Sequence, residues 1–304
     1  MINEPPKVTA IILNYLRWSE TAECVRSLQA STYRPKEVLV IDNASPNDSE
    51  QALRREFPGL RILQTGKNLG YTGGINFGIE AVRASDPSYI LILNPDTVVE
   101  LSFLDHLVEA MEKCRSAAAA CGTIHYLPPR PEAWYAGGRM IAWRGLAVHD
   151  TAPPAEAGPD FVKTGFVTGC MLLLRTEFLD TTGTLDDRFF MYLDDIEYSA
   201  RIRKKGFDLL YVPKSVIYHN VVREDTSIHK LYYSVRNRFL LINTAFSGES
   251  RAVARVYFLA VLLLKLSIWR LLNPRFYRVA RMGLKDYLGG AFGAGRGLSL
   301  IAGE

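Results

Sequence analysis

Short apolar runs alternate with amphipathic stretches along the first two-thirds of the chain. Residues 8–13, VTAIIL, form a continuous apolar run rich in β-branched residues, which is typical of a strand buried on both faces of a parallel sheet. In residues 19–30 the apolar positions recur along one side, which predicts a helix with Ser19 as its N-cap. The same alternation predicts further strands over 37–42, 60–65 and 89–94, and further helices over 75–83 and 101–114. Short links between such elements predict a doubly wound α/β sheet.

The pattern changes beyond residue 114. Residues 122–165 contain Pro, Gly and Trp without a clear period, and an excursion of this kind is often found near a substrate. Residues 165–175 again predict a strand, and the helix that follows is stopped by Gly206. Residues 211–220 predict the last strand of the α/β region, with Pro213 near its start.

The C-terminal part is predicted to be helical and basic. Residues 221–304 hold 13 Lys and Arg against 5 Asp and Glu, whereas residues 1–220 hold 23 against 27. Helices are predicted over 232–246 and 251–272, and the second is very apolar with its basic residues on one side. We expect residues 250–290 to lie in a membrane interface; packing on the α/β region or in a dimer contact is the alternative.

Composition narrows the class of protein. A chain of 304 residues with 48% hydrophobic and 22% charged residues is a folded protein, not a disordered or fibrous one. The four cysteines form no C-x-x-C pair, which favours reduced buried thiols. The first ten residues have no apolar signal region, so we expect a cytoplasmic protein, peripheral on the cytoplasmic face of the membrane. The basic tail interleaves with aliphatic residues, which argues against a nucleic-acid partner.

Polar residues follow the predicted strands at the points where ligands bind in open α/β sheets. Asp42 and Asn43 end the second strand; an Asx turn explains them equally well. Asn94 and Asp96 end the strand over 89–94, where a carboxylate can bridge a hard metal ion to a diphosphate. A Pro-Asp turn is the alternative for that segment.

A glycine-rich segment, NLGYTGGIN over 68–76, leads into a predicted helix. Glycines permit close approach to a ligand, and the amides at a helix N-terminus suit a phosphate. The segment matches neither a Walker loop nor the G-x-G-x-x-G pattern. By itself it is a weak signal.

Acidic residues open the helix that ends near Gly206. Asp194 and Asp195 suit a helix N-terminus on dipole grounds alone, and Glu197 with Arg201 is a favourable i,i+4 pair. In the functional interpretation, one of the two aspartates is a general base. His219, at the end of the last strand, is a candidate second metal ligand beside Asp96.

Taken together, these segments resemble the family-2 glycosyltransferases, and especially the rhamnosyltransferase-like branch that builds bacterial surface polysaccharides. The likeness covers most of residues 7–240. The motifs that carry it are IILNYLRW, VLVIDNAS, NLGYTGGINFGI, LILNPDT, GFVTGCMLLLR, DDRFFMYLDDIEYSARIRKKGF, YVPKSVIYH and YYSVRNR.

The resemblance implies a GT-A fold, a Rossmann-like mixed α/β sheet flanked by helices. Its catalytic domain would span 1–220, with a nucleotide-sugar half over about 1–100 and an acceptor half over about 101–220, and 221–304 would be a helical extension. It implies Asp195 as catalytic base, supported by Asp194, Glu197 and Arg201, and Asp96 with His219 as ligands of Mg²⁺ or Mn²⁺. The donor-binding residues would be Asn14, Tyr15, Asp42, Asn43, Gly73, Gly74, Asn76, Asn94 and Arg236, with Arg236 approaching the diphosphate once a loop closes.

Some positions depart from the family's pattern. Asn94 replaces the first acid of the D-x-D metal motif, Asp194 replaces the commoner Glu, and Glu197 replaces an Asp. The implied reaction is a single displacement with inversion, in which Asp195 deprotonates the acceptor hydroxyl. We expect Asp195 to be ionised at neutral pH because it lies at a helix N-terminus.

The implied donor is a nucleotide-diphosphate sugar, with dTDP-rhamnose favoured, and the implied acceptor is a glycan or lipid-linked glycan. The alternatives are a nucleotidyltransferase with a related core and an inactive membrane-associated scaffold of the same fold. The first would need a glycine-rich loop after the first strand, where this chain has NYLRW. An oligomer is possible.

Overall fold

A computed structural model describes residues 4–128, 130–155, 158, 160–221 and 228–295. The strands are β1 (Val8–Asn14), β2 (Lys36–Asp42), β3 (Arg61–Gln64), β4 (Tyr89–Leu93), β5 (Thr97–Val99), β6 (Ala117–Tyr126), β7 (Gly138–Ile141), β8 (Leu146–His149), β9 (Val162–Lys163), β10 (Met171–Arg175) and β11 (Asp208–His219). The helices are α1 (Trp18–Ala30), α2 (Ser49–Glu56), α3 (Gly70–Arg83), α4 (Phe103–Lys113), α5 (Leu179–Thr182), α6 (Asp194–Lys204), α7 (Ile228–Ala245), α8 (Gly248–Leu272) and α9 (Pro274–Leu288).

One large mixed sheet organises the molecule. Its order is β3-β2-β1-β4-β10-β6-β11-β5, with β9 beside β11. The first four strands are parallel, whereas β10 runs antiparallel to both of its neighbours. All seven residues of β1 are buried, as the continuous apolar run predicts. The mixed α/β fold class is therefore confirmed.

The ends of several elements differ from the sequence prediction. Ser19 is not an N-cap, because α1 begins at Trp18 and Arg17 precedes it without a side-chain capping bond. The helix predicted over 75–83 begins at Gly70 and therefore includes the glycines of the preceding segment. Those glycines serve packing as well as flexibility, because a Cβ at Gly74 would lie 2.5 Å from Leu13 Cδ1. The strand predicted over 165–175 is confined to β10.

The C-terminal helices pack on the body of the protein. Leu240 and Leu241 of α7 belong to the main hydrophobic core, although the predicted boundary at residue 220 assigns them to an extension. α8 rests on α7 through a smaller cluster that includes Phe239, Ile242 and Phe258. The division into a domain over 1–220 and an extension stays a prediction, and α7 is continuous with the core.

The outer face of α8 is apolar and exposed. Val256 is 70% exposed, Leu264 64% and Leu271 82%. Among the described residues, α8 is one helix that is long and apolar enough to cross a bilayer, by length and composition only. Only a small share of it is covered by the rest of the chain.

Candidate active site

Asn14 and Asp42 meet at the carboxyl edge of the sheet, which we define as the edge where β1, β2 and β4 end. They are register partners, and Asn14 Nδ2 donates to Asp42 Oδ2 at 2.6 Å. The backbone N–H of Ser45 and the amide of Gln64 donate to Asp42 Oδ1 at 2.8 and 3.0 Å. Both side chains of the pair are buried, whereas Tyr15 is 40% exposed. The three nucleoside-binding roles stay predictions, with Tyr15 the accessible member.

Asn43 fastens the glycine-rich segment to the end of β2. Its amide donates to Asn68 Oδ1 at 3.1 Å and to Gly70 O at 3.0 Å, and it accepts from the backbone N–H of Leu69 at 2.9 Å. The side chain is buried. Asn43 therefore sets the position at which α3 begins, and its predicted contact with the donor is untested.

The first amides of α3 are already bonded within the protein. The N–H groups of Tyr71 and Thr72 donate to Phe190 O at 2.6 and 3.2 Å. Gly70 permits this approach, because its φ is +75° and a Cβ there would lie 2.4 Å from the Phe190 ring. These two amides therefore bind a carbonyl of the segment before α6, and the phosphate contact of the glycine-rich segment stays a prediction.

The remaining residues of the glycine-rich segment also contact the segment before α6. Asn76 donates to Leu185 O at 2.8 Å and to Asp187 Oδ1 at 2.6 Å, and it accepts from the Leu185 N–H at 3.0 Å. Gly74 is buried against β1, and Gly73 faces the side of Asp187. These contacts join α3 to the segment before α6, and the donor-binding roles of Gly73, Gly74 and Asn76 stay predictions.

Asp96 and His219 come together through the pairing of β5 with β11. That pairing is antiparallel and places His219 opposite Thr97. His219 Nε2 lies 3.2 Å from Asp96 Oδ1, and Arg17 Nη1 lies 3.3 Å from Asp96 Oδ2. Asp96 Oδ1 and His219 Nδ1 are buried without a hydrogen-bond partner. The predicted pair thus exists, with polar atoms that still need a partner.

The pair suits a divalent cation. With metal–ligand bonds of about 2 Å, adjacent ligands of an octahedral ion are about 3 Å apart, which is close to the separation of Asp96 Oδ1 and His219 Nε2. In the described part of the chain, no group of three or more His, Cys, Asp and Glu could hold a metal. Asp96 and His219 would therefore leave the other positions to the donor and water. Asn94, half-buried in the same turn, is a further oxygen donor nearby.

Asp194 and Asp195 open α6 close to this pair. The Gly169 N–H donates to Asp195 Oδ2 at 3.3 Å. The next residue, Cys170, accepts from the Asn94 N–H at 3.0 Å. Two consecutive residues thus hold the acid at α6 and the turn that carries Asp96. The acid pair and the metal pair share one region at the carboxyl edge.

Burial controls the charge of the two aspartates. It raises the pKa of Asp195, against the lowering effects of the Gly169 N–H and of the charge on His149. The pKa of Asp194 is raised well above its ordinary value by burial and then by the charge of Asp195. Burial therefore outweighs the lowering effect that the helix N-terminus has on the pKa of Asp195, and its expected ionisation at neutral pH stays a prediction.

An aromatic wall connects His219 with the acid pair. The Trp134 ring packs edge-on against His219, with centroids 5.0 Å apart, and against His149 at 4.5 Å. His149 Nδ1–H donates to the Trp134 carbonyl at 3.0 Å, and burial lowers the pKa of His149. Because Nδ1–H makes this hydrogen bond, Nε2 of His149 carries no proton whenever the imidazole is neutral.

Four residues of this site were not predicted from the sequence. Tyr71 donates to Gly169 O at 2.7 Å; burial raises its pKa, followed by the charges of Asp194, Asp195 and others. Tyr71 and Arg17 belong to motifs that had been identified. Trp134 and His149 lie in the irregular segment over 122–165, whose expected proximity to a substrate was their only signal. The missed residues are Arg17, Tyr71, Trp134 and His149.

The loop before α6 has an unusual backbone. Phe190, Tyr192 and Leu193 all have positive φ, at 65°, 67° and 67°. Such conformations cost about 1–3 kcal/mol each for non-glycine residues and persist where the surroundings enforce them. Asn237 of α7 does so: its amide donates to three carbonyls of the loop, those of Phe189 at 2.9 Å, Met191 at 2.7 Å and Tyr192 at 3.0 Å.

Arg236 is placed differently from its predicted role. It is fully buried, and its guanidinium donates to Arg188 O at 3.1 Å, Phe189 O at 2.9 Å and Gly293 O at 2.6 Å. The rings of two tyrosines of α7 cover it. In this structure its N–H groups are used by backbone carbonyls and by Asn237 Oδ1, and its approach to a diphosphate after loop closure stays a prediction.

Glu197 and Arg201 form the predicted i,i+4 pair, and it is mostly buried. Arg201 Nη2 lies 2.8 Å from Glu197 Oε2, and the two side chains are 25% and 6% exposed. Arg201 also donates to the carbonyls of Thr182 and Thr184 at 2.6 and 2.9 Å. The pair therefore fastens α6 to the segment before it and supports the position of Asp195.

Glu197→Ala should lower the free energy of unfolding by about 3 kcal/mol, because it leaves the Arg201 guanidinium partly buried without its carboxylate. Urea denaturation at neutral pH measures this. The control is Glu80→Ala, which removes an exposed partner of Arg83 and should cost less than about 1 kcal/mol. Equal losses in the two variants would contradict a supporting role for Glu197.

Comparison with known proteins gives one family over most of this region. Residues 9–183 match the family described as Glycosyl transferase family 2. The chain is 27% identical over 218 residues to an N-acetylglucosaminyl-diphospho-decaprenol L-rhamnosyltransferase of Mycobacterium tuberculosis, covering 64% of this chain and 69% of the relative. It is 23% identical over 290 residues to the low-salt glycan biosynthesis hexosyltransferase Agl10 of Haloferax volcanii, covering 88% and 85%.

Solved structures share the fold. GalNAc-T7, crystallised with UDP, GalNAc and Mn²⁺, superposes with a TM-score of 0.68 at 17% identity, covering 82% of this chain and 49% of that chain. The mannosyltransferase PcManGT of Pyrobaculum calidifontis, in complex with GDP-Man and Mn²⁺, gives a TM-score of 0.57 at 18% identity, covering 99% and 80%. These likenesses confirm the GT-A fold.

Proposed function

Because the chain belongs to glycosyl transferase family 2, we propose that it transfers a sugar with inversion from a nucleoside-diphosphate donor to a hydroxyl of a glycan or lipid-linked glycan. The observation that carries the proposal is the shared anchoring of Asp195 and the Asn94–Asp96 turn by Gly169 and Cys170. A dTDP-rhamnose-like donor is favoured, since one relative is named as a rhamnosyltransferase acting on a diphospho-decaprenol acceptor.

The geometry supports a direct displacement. Asp195 accepts the proton of the acceptor hydroxyl as its oxygen attacks the anomeric carbon. A raised pKa makes Asp195 a stronger base than an ordinary aspartate. Burial and the charge of Asp195 raise the pKa of Asp194 well above its ordinary value, which favours Asp195 as the base of the pair.

Asp96 and His219 would hold a divalent ion against the donor diphosphate, and such an ion neutralises charge on the leaving group. Asp96 Oδ1, which is buried without a hydrogen-bond partner and lies 3.2 Å from His219 Nε2, supports this assignment. Arg17, partly exposed beside Asp96, contributes a positive charge on the same side. Magnesium and manganese both fit a carboxylate ligand.

The exposed face of α8 supports peripheral attachment to the cytoplasmic side of the cell membrane. An apolar helix face next to basic side chains is the pattern of an interfacial helix. Val253, Leu263 and Ile268 on this face are about half exposed. Attachment there would bring the site to a lipid-linked acceptor.

Thermal unfolding with candidate donors tests the function. With Mn²⁺ present, dTDP-rhamnose should raise the melting temperature more than UDP- or GDP-sugars do. A ligand at 100 times its Kd stabilises the folded protein by about 2.7 kcal/mol, so at equal concentrations the donor with the lowest Kd gives the largest shift. In Asp96→Asn, the Mn²⁺ concentration needed for the same rise in melting temperature should be at least about 10-fold higher. The control is Asp180→Asn, which alters an exposed carboxylate paired with Arg83.

Two results would contradict the proposal. One is the absence of a melting shift, and of nucleoside diphosphate release, with every donor tested. The other is a shift of the same size in Asp96→Asn and wild type at limiting Mn²⁺. Neither alternative class, a nucleotidyltransferase or an inactive scaffold, is favoured by any contact at this site.

A further inference from the structure

A cavity of about 180 Å³ lies between α7, α8 and the turn that joins β7 to β8, outside the candidate active site. Three basic side chains line it: Arg144 from the turn, Arg238 from α7 and Lys265 from α8. Gly145 lets the turn approach closely, because its φ is +61° and a Cβ there would lie 2.5 Å from Ile242 Cγ1.

The two arginines in this cavity are incompletely satisfied. The Nε atoms of Arg144 and Arg238 are both buried without a hydrogen-bond partner. Arg238 Nη2 donates to Arg144 O at 2.7 Å, so the backbone serves one of its donors and holds the two residues together. A buried donor without an acceptor costs about 1–3 kcal/mol, and more for a charged group.

Among the described residues, no carboxylate compensates these charges. No described Asp or Glu lines the cavity, and neither arginine nor Lys265 has a described carboxylate within 4.0 Å. Burial, and to a smaller extent the neighbouring charge of Arg144, lower the pKa of Arg238 to about 10. The cavity is therefore a concentration of positive charge in a partly desolvated place.

Aromatic rings explain part of this arrangement but not all of it. The Arg238 guanidinium lies 4.8 Å from the Phe258 ring centroid, and Lys265 Nζ lies 5.7 Å from that of Trp269. Cation–π contacts of this kind favour burial of the charge. They do not supply an acceptor for the buried Nε–H groups, which require an anion or another oxygen ligand.

The surroundings of the cavity indicate where the anion comes from. Apolar side chains, among them Leu231 and Val261, make up most of the rest of the lining. Leu264, next to Lys265 on α8, is 64% exposed, and Trp143, next to Arg144, is 55% exposed. The cations thus lie beside the apolar surface that faces outward from α8 and the turn.

We propose that this cavity binds the phosphate group of an anionic membrane lipid, with Arg144, Arg238 and Lys265 as its ligands and the exposed face of α8 against the acyl chains. The inference deepens the membrane attachment proposed above, and rests on it, by assigning that attachment a specific headgroup site. The phosphate oxygens accept from the two Nε–H groups that lack partners. Lys265, exposed at the rim, adds a third charge.

Flotation of the full-length protein with vesicles tests the proposal. Vesicles of phosphatidylcholine with phosphatidylglycerol are compared with vesicles of phosphatidylcholine alone. Arg238→Gln should weaken binding to the anionic vesicles about 10- to 100-fold, because a charge-assisted hydrogen bond is lost together with the charge. Arg144→Gln should behave in the same way and serves as the second variant.

The matched control is Arg270→Gln, which removes an equal charge from an exposed position of α8 that does not line the cavity. General attraction to an anionic surface predicts a loss of about fivefold or less for this variant. The melting temperature of Arg238→Gln without lipid should equal or exceed that of wild type, since the substitution removes an uncompensated charge.

The outcomes are distinct. Equal vesicle binding by Arg238→Gln and Arg270→Gln, with wild type bound, overturns the headgroup site but leaves membrane attachment standing. Failure of wild type to bind either vesicle overturns both. Stabilisation of wild type by inorganic phosphate alone, lost in Arg238→Gln while vesicle binding is unchanged, overturns the lipid as the source of the anion.

Discussion

Replacing Asp195 with asparagine is expected to reduce the rate of sugar transfer by about 10³-fold, since it removes the group that accepts the acceptor's proton. The substitution keeps the shape of the side chain and its contact with the Gly169 N–H can be partly retained. Initial rates of nucleoside diphosphate release at saturating donor and acceptor measure the effect.

The pH dependence of the same variant separates a base from a structural residue. Asp195 must be deprotonated to act, and burial raises its pKa, so wild-type activity should fall on acidification at a higher pH than for an ordinary aspartate. The residual activity of Asp195→Asn should lack this limb. A residual rate with the wild-type acidic limb would contradict the assignment.

The stability of Asp195→Asn should move in the opposite direction from its activity. A raised pKa in the folded protein means that folding favours the protonated carboxyl. The stability associated with that proton is present below the unfolded-state pKa of about 4 and is lost as pH rises through the folded-state pKa. Asparagine avoids this loss, so the variant should be as stable as wild type in acid and more stable at neutral pH by urea denaturation.

Asn237→Ala is expected to lower the transfer rate by about 10²-fold, although the hydrogen bonds of Asn237 go to the loop before α6 and to Arg236 and not to Asp195. Its amide serves three carbonyls in the loop that leads into α6. Without it, Phe190, Tyr192 and Leu193 can relax from positive φ, and the Asp195 carboxylate at the end of the loop shifts. The free energy of unfolding should also fall by about 2–3 kcal/mol.

The matched control for this prediction is Asn243→Ala. Asn243 lies on the same helix and donates to the Tyr287 hydroxyl, away from the loop. The Asn243→Ala variant should lose stability while retaining the wild-type kcat. A second measurement, donor binding by thermal shift, should change little in Asn237→Ala. A rate that falls only in proportion to the folded fraction would refute a positioning role for Asn237.

The candidate site was only partly accessible to sequence reasoning. Asp96 and His219 are 123 positions apart in the sequence. Their residue types and strand-end positions suggested a shared site, and the antiparallel pairing of β5 with β11 brings them to 3.2 Å. Arg236 shows the opposite case. An arginine suits a diphosphate and a set of carbonyls equally well, and only the packing of α7 on the loop before α6 decides between them.

Trp134 and His149 were missed for a different reason. They lie in an excursion without helical or strand period, so no local rule assigns them a direction. Their approach to His219 and Asp195 depends on β6 and the β7–β8 hairpin, which are distant from α6 in sequence. The raised pKa of Asp195 could not be predicted either, because a position at a helix start is a local property whereas burial depends on distant segments.

The sequence by itself determined the order of strands and helices, the burial of β1, the family, and the strand-end and helix-start positions where the acids lie. Those properties follow from local spacing, since period and turn residues act over a few positions. The tertiary structure alone decided which polar groups meet, which of them are buried, and which arginines are used by the backbone. Those outcomes depend on contacts between segments that are far apart in the chain, where desolvation and shared hydrogen bonds outweigh local preference.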